Sequence, residues 1–224
     1  MSPDPWSSVD AYIVEHVLSS DPALDATLRA SDAAGLPAIG VSPAQGKLLF
    51  LLATMQRART ILEVGTLGGY STIWLARALP ADGRLITLEA DPAHAAVACA
   101  NIERAGLHTI VDVRVGPALE TLPRLEAEGR GPFDFVFIDA DKVHNADYVS
   151  WALRLARPGT VIVVDNVVRD GAILDADSAD AAVQGTRRLF DLLAAEPRLS
   201  ATAIQTVGSK GYDGFAMAIV NDGD

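Results

Sequence analysis

The chain has 224 residues, half of them hydrophobic, which suits one α/β domain with additional helices and leaves ample apolar material for a core. Its 29 acidic and 18 basic side chains give a formal net charge of −11, which disfavours nucleic acid as a main partner because phosphate contacts need clustered cations. No apolar run approaches the ~18 residues of a membrane span, and the first twenty residues carry Asp4, Asp10 and Glu15 without Lys or Arg, the wrong start for a secretory signal, so a cytoplasmic protein without membrane contact is expected.

The N-terminal third reads as helical. Val9, Tyr12, Ile13, His16 and Val17 share one helical face. Asp21-Pro22 has the form of an N-cap followed by proline in the first helical turn. Gly35 and Pro37 interrupt. Ser42-Pro43-Ala44-Gln45 opens a helix to about Gln56, with Ser42 as cap and Gln45 as its reciprocal partner, and the leucines that follow predict a mostly buried element. From Thr60 the pattern alternates, with strands over 60–64, 84–88, 110–115, 133–138 and 160–164 and helices near 70–79, 92–105, 117–128, 143–156 and 180–195. Such alternation predicts right-handed βαβ units and a parallel sheet with helices on both faces. Segments 201–207 and 215–220 have no helix between them and predict an antiparallel hairpin joined by residues 208–214. The expected fold is a single α/β domain with a mixed, mostly parallel sheet of about seven strands. Residues 1–40 would form a helical extension and 41–224 the core. The one cysteine, Cys99, reads as a small buried apolar residue, and no disulfide can form within the chain, which fits a reducing compartment.

Two strands run straight into acids. Phe133-Asp134-Phe135-Val136-Phe137-Ile138 leads to Asp139-Ala140-Asp141-Lys142, and Thr160-Val161-Ile162-Val163-Val164 leads to Asp165-Asn166. Short β-branched and aromatic runs suit strands buried on both faces of a parallel sheet, and such sheets bind ligands at the carboxyl ends of their strands. Asp139, Asp165 and Asn166 would emerge at one rim as oxygen ligands, a set that suits Mg²⁺ better than Zn²⁺, which would bring His or Cys. Each acid taken alone reads as a helix N-cap; two converging strand ends favour the cation. Lys142, close behind Asp139, is the candidate base, and His144 is expected to stand on the following helix in a structural role.

After the first strand comes Glu63-Val64-Gly65-Thr66-Leu67-Gly68-Gly69-Tyr70-Ser71. Its glycines permit a sharp turn and a close approach to a ligand. Ser71 stands at a helix N-terminus, where free N–H groups favour an anion such as a carboxylate. The second strand ends in Glu89, an acid placed to hold both ribose hydroxyls of an adenosine. Gly65, Gly68 and Gly69 do not give the G-x-G-x-x-G spacing of dinucleotide sites, which counts against NAD and FAD.

The segment from Glu63 through Ser71-Thr72 resembles the first motif of class I S-adenosylmethionine-dependent methyltransferases. More narrowly, it is similar to the cation-dependent O-methyltransferases related to catechol and caffeoyl-CoA O-methyltransferases. The likeness runs from about Val41 to the C-terminus and takes in Ile138-Asp139-Ala140-Asp141-Lys142, Asp165-Asn166 and Gly211-Tyr212-Asp213-Gly214; the first forty residues match loosely. It implies a Rossmann-like fold closed by a C-terminal antiparallel strand pair. It implies S-adenosylmethionine held by Val41, Glu63, Gly65, Thr66 and Ser71, by Glu89 at the ribose and Ala118 at the adenine, with Asp139 touching both cofactor and metal. It implies Asp139, Asp165 and Asn166 as ligands of Mg²⁺ or another divalent cation. The reaction it implies is methyl transfer to a hydroxyl of a catechol-type small aromatic that chelates the cation, with Lys142 as base. Asp141 and segment 167–175 would border the acceptor; the resemblance places a bulky aromatic at Asp141 in animal catechol enzymes, so Asp141 implies a more open and polar pocket. Arg169 and Tyr212 read as rim contacts or, equally, as a solvated arginine and a turn tyrosine. The family is commonly dimeric, and the surplus apolar surface of the N-terminal helices agrees with a homodimer. Three alternatives remain: methylation of a modified RNA base hydroxyl, a nicotinamide-dependent oxidoreductase, and a cofactor-binding module without catalysis.

Overall fold

Seven strands make one sheet: β1 (Thr60–Val64), β2 (Arg84–Glu89), β3 (Val111–Val115), β4 (Phe133–Ile138), β5 (Ala156–Asp165), β6 (Leu199–Gly208) and β7 (Gly211–Val220). Their spatial order is β3-β2-β1-β4-β5-β7-β6. The five from β3 to β5 are parallel, and β7 runs antiparallel to both of its neighbours. The computed structural model describes residues 5–222. Residues 1–4 of the expected extension and 223–224 of the expected core lie outside the described residues.

Eight α-helices accompany the sheet: α1 (Pro5–Val17), α2 (Pro22–Ala33), α3 (Pro43–Met55), α4 (Tyr70–Ala76), α5 (Pro92–Arg104), α6 (Ala118–Ala127), α7 (Asn145–Arg154) and α8 (Ala181–Ala195) among the described residues. Side chains alternate across the pleat, so each central strand feeds two cores. Leu62, Val64, Ile86, Leu88, Val136, Ile138, Ile162 and Val164 pack with Leu122, Leu125, Val149 and Leu189 of α6, α7 and α8. Ile61, Leu85, Phe135, Phe137 and Val163 pack on the other face with Leu49, Ala53, Ile73, Ala98 and Ile102 of α3, α4 and α5. Full burial of each such Leu, Ile or Phe is worth roughly 1.5–3 kcal/mol, so the rim above this sheet rests on a stiff base.

The parallel core and the closing hairpin follow the sequence pattern, with differences at the ends. The hairpin is longer than expected: β6 and β7 pair from Leu199↔Val220 to Gly208↔Gly211, leaving Ser209-Lys210 as the turn. Gly214 read as a turn residue but serves close packing, because a Cβ there would overlap the carbonyl oxygen of Ile204 and crowd Val168. The helix expected over 143–156 is shortened to α7, preceded by a 3-10 turn, Lys142–His144, and β5 begins at Ala156. Gln45 donates its backbone N–H to Ser42 Oγ at 3.2 Å, but its side chain turns to Asp165 instead of returning to the cap.

Two burial expectations are corrected. Cys99 is exposed, because Ala95, Ala98 and Ile102 take the inner stripe of α5. α3 buries Gly46, Leu49 and Ala53 only, and leaves Leu51 and Met55 exposed. α1 buries none of its residues, although Asp10 fastens it to the hairpin by accepting the Ser209 backbone N–H at 2.7 Å. Among the described residues no helix is long and apolar enough to cross a membrane.

Candidate active site

β1 lies between β2 and β4, and the chain leaves the carboxyl ends of β1 and β4 toward opposite faces. This switch in strand order opens a crevice, as in other open parallel sheets. The cavity there measures about 910 Å³. The two strand ends nearly touch: Asp139 N–H donates to Val64 O at 2.8 Å, and a Cβ on Gly65 would overlap the carbonyl oxygen of Asp139. Gly65 has φ 101°, a conformation open to glycine, so the β1 loop and the acids after β4 share one floor.

One side of the cavity is a lattice of backbone donors. Glu89 Oε2 accepts the N–H groups of Thr66 (3.2 Å) and Leu67 (2.7 Å), and Oε1 accepts that of Asp91 (3.0 Å). Glu89 therefore shapes the glycine loop as well as facing the cavity. Asn101 Nδ2 donates to Gly68 O at 2.9 Å and ties the loop to α5. Glu63 lies behind this wall, fully buried. Its carboxylate accepts hydroxyl donors from Ser71 (2.7 Å), Thr87 (2.7 Å) and Thr72. Burial pushes its pKa up to about 7, against the pull of those hydroxyls. Only Ser71 of this group reaches the cavity, so Glu63 acts by fixing Ser71.

That burial has a measurable consequence. A carboxyl raised from 4.5 to about 7 on folding stabilises the fold fully below pH 4.5, and the contribution is lost as pH rises through 7. Chemical denaturation of the wild type and Glu63→Gln across this range should diverge by about 3 kcal/mol, with the variant flatter. Parallel curves would show that Glu63 is ionised alike in both states.

The opposite side carries charge. Lys142 Nζ donates to Asp139 Oδ1 at 2.7 Å, with both side chains largely buried. Asp165 ends β5 with 5% exposure and accepts the N–H of Asn166 at 2.9 Å. Burial and the negative charge of Asp139 hold the Asp165 carboxyl well above the usual range, opposed by Lys142 and Gln45. Asp141 accepts Tyr148 OH and pairs with His144 Nδ1. Burial works against its ionisation, but those partners hold its carboxyl below the usual value. Burial and Asp141 together raise Tyr148. Beyond Asn166 (φ 57°) the chain turns through Arg169 (φ 56°) and Asp170 (φ 53°), held by Asp213 Oδ1, which accepts the N–H groups of Val168, Arg169 and Gly214.

Val41, Gly65, Thr66, Ser71, Glu89, Ala118, Asp139, Asp141, Lys142 and Asn166 all line this one cavity, as do His144 and Arg169. Glu63 and Asp165 stand behind the wall, and Tyr212 packs against Gly171 with its hydroxyl on Gln205. His144 lies in the 3-10 turn ahead of α7. Sequence reasoning missed Tyr148, His94, Lys210 and the 36–40 segment, all on the cavity wall. Tyr148 had a local signal, since it follows Asp141 by two helical turns; the 36–40 segment had none. Among the described residues no three His, Cys, Asp or Glu side chains gather as a metal site, and the Asp139, Asp165 and Asn166 set reaches three only with an amide.

The O-methyltransferase family model matches residues 15–217. The chain belongs to the O-methyltransferase family. Catechol O-methyltransferase from Niastella koreensis is 57% identical over 215 residues, spanning 96% of this chain and 97% of that protein. Catechol O-methyltransferase from Mycobacterium tuberculosis is 58% identical over 212 residues, spanning 95% and 94%. The crystal structure of the O-methyltransferase from Bacillus cereus in complex with SAH superposes with a TM-score of 0.95 at 58% identity, covering 96% of this chain and 98% of that one. Family membership removes the nicotinamide-dependent oxidoreductase and the non-catalytic module.

Proposed function

We propose that this O-methyltransferase transfers a methyl group from S-adenosylmethionine to a hydroxyl of a catechol-type small aromatic. The observation that carries this reading is the Lys142–Asp139 pair, beside buried Asp165, on the wall of the cavity that the glycine loop and Glu89 also line. The names and bound SAH of the relatives support it. Val41, Gly65, Thr66, Ser71 and Asp139 would hold the amino-acid end of the cofactor, Glu89 the ribose and Ala118 the adenine.

Asp139, Asp165 and Asn166 fit Mg²⁺ or another hard divalent cation. Two carboxylates face one ammonium, and the raised Asp165 carboxyl marks a place short of positive charge. Such a cation supplies Lewis acidity that lowers the pKa of an acceptor hydroxyl. Lys142 Nζ, which donates to Asp139 Oδ1 at 2.7 Å, would take the hydroxyl proton after passing its own to solvent. Asp139 positions that amine, while the 36–40 segment and Tyr148 limit water and hold the ring, so that much of the rate gain comes from orientation. Asp141, kept ionised by Tyr148 and His144, gives the acceptor end a polar wall.

Labelled S-adenosylmethionine with catechol tests the reading. Lys142→Met should lower kcat by roughly 10²–10⁴-fold with little change in affinity for S-adenosylhomocysteine. Wild-type kcat in that variant would remove Lys142 as base, and full turnover in excess chelator would remove the cation.

We further infer one catalytic unit over 41–224, whose cavity residues 28–40 of the extension help to close, and a homodimer. Trp6, Val9, Tyr12, Ile13 and Val17 of α1 are exposed together with Leu51, Met55, Ile204, Val207 and Ile219, more apolar surface than a monomer usually leaves open. Light scattering should give twice the chain mass of 23.6 kDa; a monomer at micromolar concentration would overturn the inference.

A further inference from the structure

We propose that Arg169, together with Lys210 on the same cavity wall, forms a subsite for a carboxylate on the acceptor, so that the preferred substrates are catechols bearing an acid group. This rests on the catechol reading above and names the substrate class more narrowly.

Most of the charges that face the cavity are already paired. Asp139 is engaged by Lys142, Asp141 by Tyr148 and His144, and Glu89 by three backbone N–H groups. His94 approaches Glu89 and Asp91 at 3.8 and 3.9 Å. Asp32, exposed at the end of α2, completes the acids on the wall. Arg169 and Lys210 have no carboxylate partner among the described residues. Lys210 Nζ donates to Ala38 O at 2.9 Å. Arg169 Nε is buried and has no hydrogen-bond partner among the described residues. Buried polar atoms are nearly always paired, and an orphan beside a cavity calls for an acceptor delivered by a ligand. The formal charge of −11 makes two unmatched cations lining one cavity a local reversal of sign.

Backbone geometry adds a second observation. Arg169 has φ 56°, an uncommon conformation for a side chain of its size, and Asp213 holds it there by accepting the Val168 and Arg169 N–H groups. Enforced strain of this kind clusters where a side chain must be aimed. Arg169 follows Asn166 by three residues and lines the same cavity as Asn166 and Lys142, so an acceptor whose hydroxyls meet those two shares that cavity with the guanidinium. The planar fork of arginine matches a carboxylate through two parallel hydrogen bonds, which an ammonium cannot reproduce.

The test compares 3,4-dihydroxybenzoate with catechol on protein saturated with S-adenosylhomocysteine, by calorimetry, and then compares kcat/KM for both. The wild type should favour the acid by about tenfold or more in both measurements, the gain of one charge-assisted pair. Arg169→Gln should erase most of that preference through KM for the acid, Arg169→Lys should keep part of it, and Lys210→Gln should lower it less. Equal binding of both compounds by the wild type, or a parallel fall for both in Arg169→Gln, overturns the subsite. A protein that methylates neither compound overturns the catechol reading instead, and the calorimetric preference then decides the subsite by itself.

Discussion

Asp165→Ala should lower catechol methylation by about 100-fold or more while leaving affinity for S-adenosylhomocysteine within about threefold, because a ligand of the proposed cation is lost and the proposed cofactor contacts are not. Asp165 stands behind the cavity wall at the end of β5, away from the glycine loop and Glu89. It faces Asp139 and Lys142, so its removal leaves one carboxylate to one ammonium and takes away a proposed cation ligand. The same residue should show a conflict between activity and stability. Its carboxyl is raised by burial and by Asp139, so ionisation costs the folded state stability above the ordinary carboxylate range and costs nothing below it. Asp165→Asn should therefore melt higher than the wild type at pH 8, and the gap should close toward pH 4. Thermal scans at both pH values, beside turnover with labelled cofactor, check the pair of expectations. A variant that is fully active, or one that loses activity and S-adenosylhomocysteine binding in proportion, would remove Asp165 from the proposed cation site.

The strand ends were legible in the sequence because their signal is local. Phe133 to Ile138, apolar except for Asp134, and Val161 to Val164 are short β-branched and aromatic runs that suit a doubly covered strand, and the acids after them follow by adjacency. The glycine loop was legible for the same reason. Glu63 was not, because its burial depends on hydroxyls brought from α4 and β2, and nothing near it in the sequence predicts that Thr87 and Ser71 will close on one carboxylate. Cys99 and the leucines of α3 failed for a related reason: composition says how apolar a helix is, while packing decides which stripe faces the core. Tyr212 and Gly214 looked like turn residues, yet pairing with β6 drew them into a strand. Arg169 shows the limit most clearly. A solvated arginine and a cavity arginine read identically in the chain; the left-handed turn fixed by Asp213, 44 residues away, separates them.

Gly65→Ala should lose both halves of the site at once, since Gly65 is where the ends of β1 and β4 meet. Two costs combine there. The backbone sits at φ 101°, which side-chain-bearing residues resist, and the added methyl would overlap the Asp139 carbonyl, a backbone atom with no freedom to move aside. Left-handed strain of about 1–2 kcal/mol and overpacking of about 1–3 kcal/mol give a loss near 4 kcal/mol, or roughly 10 °C in Tm for a chain of this length. Gly159→Ala separates the two causes. Gly159 also has positive φ, 86°, but a Cβ there meets nothing within 4 Å, so only the strain should appear. Equal Tm losses in the two variants would mean that the strand ends relax apart at no cost. The larger loss expected in Gly65→Ala should come with at least about tenfold weaker S-adenosylhomocysteine binding, because the loop N–H groups that Glu89 holds start at the next residue, Thr66. In this O-methyltransferase the donor loop and the acid rim are kept in register by the absence of one side chain.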